Sequence, residues 1–132
     1  MALPLFEVSD ELELLVLWRL VAEAKFQVDP DDTDLWGSPF VHRLANRIAD
    51  AMLKDYEAKG DLDAVTRHKV WIASLATNVV LPVVEANLKR DASHPQWKSR
   101  LHTDKIEYVR GCIAPFKVDQ SYLERLISDA EA

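Results

Sequence analysis

The sequence predicts an all-α fold, a single-domain bundle of five or six helices around one long, proline-kinked central helix. Three observations carry this. Apolar residues recur at spacings of three and four. The β-branched residues form no alternating runs, and only three glycines occur in 132 residues, too few for the tight turns a sheet protein needs. At 48% apolar and 29% charged residues, the chain can bury a core without disulfides or metal, and its length suits one domain over residues 1–132.

The first helix is expected over about 10–25. Asp10 followed by Glu13 is a capping-box-like start, in which the Asp10 carboxylate accepts from the Glu13 amide. From Leu12 to Ala22 only Glu13 and Arg19 are polar, so this helix has almost no wet face. It belongs at the centre of a bundle or against another subunit. The next stretch, Gln27 to Gly37, reads as a loop, because Asp29-Pro30 signals a turn and four aspartates do not support a helix interior.

Ser38 then caps a second helix over 39–59, with Pro39 in its first turn, where a missing N–H costs nothing. Val41, Leu44, Ala45, Ile48, Met52 and Tyr56 form its apolar stripe, and Gly60 ends it. The third and longest helix is expected over 62–90. Arg67, Ser74, Thr77, Asn78 and Glu85 fall on one narrow polar stripe at 100° per residue, and Pro82 is expected to bend the helix beside that stripe.

Asp-Ala-Ser-His-Pro after Arg90 breaks the pattern. A fourth helix follows over 95–110, and a second start signal, Thr103-Asp104 with Glu107, would split it near 103. A last helix over 120–130 buries Tyr122, Leu123, Leu126 and Ile127.

Charge narrows the function classes. The net charge is −6, and Met1–Thr66 carries fourteen acids against six bases. An acidic chain is a poor general nucleic-acid binder, since phosphate contacts need clustered Lys and Arg. Only residues 89–105, with Lys89, Arg90, Lys98, Arg100 and Lys105, are locally basic. The apolar run in the first helix is broken by Arg19 and is too short for a membrane span. Cys112 is the only cysteine, and the start of the chain lacks a basic leader; both favour a reducing cytoplasm.

Two speculative sites emerge. Ser74, Thr77, Asn78 and Glu85 beside the Pro82 kink could hold a small ligand or ion between helices, because a kink frees a backbone carbonyl next to side-chain donors. Asp31, Asp32 and Asp34 with Trp36 could dock on a basic, apolar-lined partner. Neither a catalytic motif nor a metal site is expected: the acidic loop lacks the Gly and Glu of a calcium loop, no Cys pair or paired His occurs at ligand spacing, and no cofactor is implied.

The expected function is that of a small acidic cytoplasmic protein-binding module of the immunity, inhibitor or adaptor kind, acting by binding rather than catalysis. Its expected partner is another protein, basic in surface character, or a second copy joined through the first helix. The alternative is a helical-bundle small-molecule or ion binder, or an enzyme, with its site beside Pro82.

Overall fold

The computed structural model describes residues 6–8, 10–28 and 33–132. Among these residues the fold is all-α, with eight α-helices, one 3-10 turn and no strand. The helices are α1 (Glu11–Lys25), α2 (Thr33–Gly37), α3 (Pro39–Ala58), α4 (Leu62–Ile72), α5 (Leu81–Ala92), α6 (Pro95–Lys98), α7 (His102–Cys112) and α8 (Gln120–Glu131).

Local chemistry sets most of the boundaries. Asp10 caps α1 by accepting from the Glu13 amide at 2.8 Å. Ser38 caps α3, Asp61 caps α4 and Asp119 caps α8 in the same way. Gly60, at φ 69°, supplies the left-handed residue that turns the chain out of α3.

The long kinked helix is not formed. Residues 62–90 divide into α4 and α5, separated by a 3-10 turn over Leu75–Thr77. Side chains that compete for backbone groups account for the break. The Ser74 hydroxyl donates to the Trp71 carbonyl at 2.6 Å, and Asn78, in extended backbone at ψ 148°, accepts the Val80 amide on Oδ1 at 3.0 Å. Pro82 then falls in the first turn of α5, where its missing N–H has no partner to lose. It starts a helix instead of bending one.

One further difference follows from a short signal: Thr33–Gly37 forms a helical turn inside the segment expected to be loop. The segment 95–110 is two helices, as its second start signal suggested, with the interruption at Ser99–Leu101.

The core lies where α5 and α7 pack on α8. Leu75, Val84, Leu88, Val109, Cys112, Ile113, Leu123 and Ile127 are almost wholly buried there, with Trp36 inserted from α2. The first helix packs mainly along α3, with Trp18 edge-on to Trp71 of α4 at 5.2 Å between ring centroids.

No fully buried side-chain nitrogen or oxygen lacks a hydrogen-bond partner among the described residues. The Lys25 ammonium ends α1 in the interior, donating to the Gly111 carbonyl at 3.3 Å and to that of Cys112. The Gly111 carbonyl also accepts the Ala114 amide, so the ammonium chiefly serves the Cys112 carbonyl at the end of α7. The Phe26 and Trp36 rings flank it at 4.9 and 5.4 Å. Burial lowers its pKa to about 8.

Candidate protein-binding face

The first helix is covered on one side only. Leu14, Leu15, Leu17, Trp18 and Val21 are half-buried, whereas Leu12, Val16 and Leu20 are 73%, 54% and 64% exposed. A spacing of four places these three in one row along the helix. Phe6, 79% exposed, extends the row beyond the N-terminus of α1. Together with Val8 and Leu17 they line a groove of about 780 Å³.

The groove has an acidic edge. Glu7, Asp10, Glu11, Glu13 and Glu23 are exposed around it. Lys59 reaches in from the end of α3 and binds Glu11 at 2.8 Å and Asp55 at 2.9 Å. Hydrogen bonds to these two carboxylates hold the Lys59 ammonium above the ordinary lysine range. Arg19 is the other base on this side, exposed on α1.

What such a face offers is apolar area and charge. Four neighbouring apolar side chains offer desolvation on contact, at about 25 cal/mol per Å² of apolar surface buried, and the carboxylates steer and orient a complementary surface. Residues positioned for bond-making chemistry are not part of it.

The ligand-site residues expected beside Pro82 do not share a stripe. That stripe depended on continuous helical register from 67 to 85, which the break removes. Ser74 and Asn78 are half-buried and spend their side chains on the turn, and the Thr77 hydroxyl donates to the Ser74 carbonyl at 3.3 Å. Glu85 is exposed on α5 and has no hydrogen bond to the other three.

Of the acidic-loop residues, Asp31 and Asp32 lie outside the described residues, as does the side chain of Asp34, whose backbone is in α2. Trp36 is 1% exposed, and its indole N–H donates to Asp91 Oδ2 at 2.8 Å. It anchors α2 to α5 and is not offered to solvent.

Cys112 is wholly buried, and burial pushes its thiol up to about 12, so it is a thiol and not a thiolate near neutral pH. Among the described residues no group of three or more His, Cys, Asp or Glu could hold a metal ion. Nor is any described helix long and apolar enough to cross a membrane.

The open row on α1 was legible in part, because a helix so apolar has more apolar surface than one small neighbour covers. The Lys25 and Asp91 anchors were not, since neither residue has a sequence neighbour that marks it. The chain matches no protein-family model, no curated protein and no solved structure.

Proposed function

We propose that the protein is a small acidic binding module whose contact face is the open side of α1, and that it works by association rather than catalysis, in the cytoplasm. The observation that carries this is the exposed row Leu12, Val16 and Leu20, continued by Phe6 and edged by carboxylates. An apolar row of this length left open to water is a common mark of an interaction surface.

The charge around the row selects the occupant. It is a partner protein presenting an apolar ridge flanked by Lys or Arg, for instance one amphipathic basic helix laid in the groove. A second copy of this chain would bring the same acidic edge against itself, which like-charge repulsion disfavours.

A synthetic helical peptide with Leu at every fourth position and flanking lysines serves as a probe, titrated by fluorescence anisotropy. Saturable binding to the wild type, weakened about tenfold or more by Val16→Asp, supports the reading. The substitution adds a negative charge, so an encounter driven by charge alone would instead tighten. Unchanged or tighter binding overturns the proposal. So does a wild-type dimer, seen by light scattering, that Val16→Asp dissolves.

A further inference from the structure

A second concave site lies elsewhere on the molecule and shares no residue with the α1 groove. The turn from α2 into α3, the C-terminal end of α5 and helices α6 and α7 enclose a cleft of about 740 Å³. Asp91 organises its floor. Its Oδ2 accepts both the Trp36 indole N–H and the Tyr108 hydroxyl, each at 2.8 Å, and Oδ1 faces Arg90 at 3.4 Å. Burial pushes the Tyr108 phenol up, keeping it a donor to this carboxylate. Among the described residues, the one acid lining the cleft is therefore committed to groups of the fold.

The cations around it are less committed. Among the described residues, Arg90 has only the long contact to Asp91 and a marginal one to Asn87 at 3.5 Å. The Arg100 guanidinium lies over the Tyr108 ring, 4.6 Å from its centroid, and has no carboxylate within ion-pair distance among the described residues. His94 is exposed on the same wall. The first turn of the 20-residue helix α3 also opens here, adding its positive end.

The wall carries a flat apolar element as well. Phe40 is 73% exposed, an unusual position for a large aromatic, and the Arg43 guanidinium lies 4.7 Å from its ring centroid. A cleft with two guanidinium groups, an exposed imidazole and an uncovered aromatic face presents two kinds of attraction within one small volume. Guanidinium groups favour oxyanions that accept several hydrogen bonds at once, and an exposed ring favours a planar apolar group.

We propose that this cleft binds a small ligand that carries a phosphate monoester on a planar ring, the phosphate between Arg90, Arg100 and His94 and the ring against Phe40. A phosphate suits the site better than a carboxylate. It offers three terminal oxygens and close to two negative charges to two guanidinium groups and an imidazole on one cleft, where a carboxylate offers two oxygens and one charge. This site is independent of the α1 face, and either can fail without the other.

Phenyl phosphate is the probe, followed by tryptophan fluorescence, since Trp36 and Trp97 line the cleft. Binding should saturate at millimolar concentration or below, and Arg100→Gln should weaken it about tenfold. Arg100 is exposed, and thermal melts show whether the variant stays folded. Lys54→Gln, on the exposed side of α3 away from the cleft, should bind like the wild type. Inorganic phosphate and benzoate should each bind more weakly than phenyl phosphate. No saturable change, equal losses in Arg100→Gln and Lys54→Gln, or benzoate binding as well as phenyl phosphate would each overturn the proposal.

Discussion

The His42 ring lies beside Gly111, so closely that a Cβ at position 111 would lie 2.9 Å from His42 Cε1 and closer still to Nδ1. Gly111 is inside α7, where glycine costs about 1 kcal/mol relative to alanine for an ordinary helix interior. The glycine is there because α3 and α7 approach through this contact. The His42 ring cannot retreat freely, since its Nε2 is 2.9 Å from the Trp36 carbonyl. Gly111→Ala should therefore destabilise the fold by about 1–3 kcal/mol, against the gain expected from helix propensity alone. Urea denaturation measures this, and His42→Ala should recover part of the loss in the double variant.

His42 also makes stability depend on acidity. Burial lowers its pKa to about 4, from 6.5, although the bond to the Trp36 carbonyl opposes the shift. Near neutral pH the ring is uncharged and donates from Nε2 to that carbonyl. Between pH 6.5 and 4 the unfolded chain binds a proton that the folded chain does not, so stability falls as pH falls through this range. The limiting slope for one such group is about 1.4 kcal/mol per pH unit. His68, lowered by its own burial, acts in the same direction. Denaturation at pH 6.5 and pH 5 should show the loss, and His42→Gln should reduce it.

Asp91 joins three helices through one oxygen. Asp91→Ala leaves the Trp36 N–H and the Tyr108 O–H without their acceptor, at a cost of about 2–4 kcal/mol. Tyr108→Phe removes one donor and no acceptor, and should cost about 1 kcal/mol. The two changes share a partner, so the double variant should lose less than their sum by about 0.5 kcal/mol or more. A double-mutant cycle in urea checks all three values.

Pro82 gives a test of the helix break. In the interior of a continuous helix the proline would cost about 3 kcal/mol, and Pro82→Ala would recover it. In the first turn of α5 the proline fits without strain and limits the unfolded chain. Pro82→Ala should accordingly lower stability, by about 1 kcal/mol at most, and a thermal melt reads the sign.

How much of this was legible in the sequence depended on the range of the forces involved. Caps act over three residues, so Asp10 and Ser38 announced their helices. The apolar stretch from Val70 to Ala86 was misleading for the same reason. Its periodicity continued through Ser74 and Asn78, whose side chains end one helix and begin the next. The polar stripe and the ligand site built on it went with that continuity. Trp36 could have turned outward or inward from the acidic segment, and its acceptor is 55 residues away. Lys25 closes α7 from 86 residues away. No local pattern marks such pairs, and on a first helix apolar nearly all round none marked which side would stay open.

That row is the central claim, and amide chemical-shift mapping with the Lys-flanked, Leu-every-fourth helical peptide tests it most directly. The account predicts shifts concentrated at Leu12, Val16, Leu20 and the neighbouring Phe6 and Val8, absent in Val16→Asp. Shifts confined to other helices, or none at peptide saturation of the acidic surface, would contradict it.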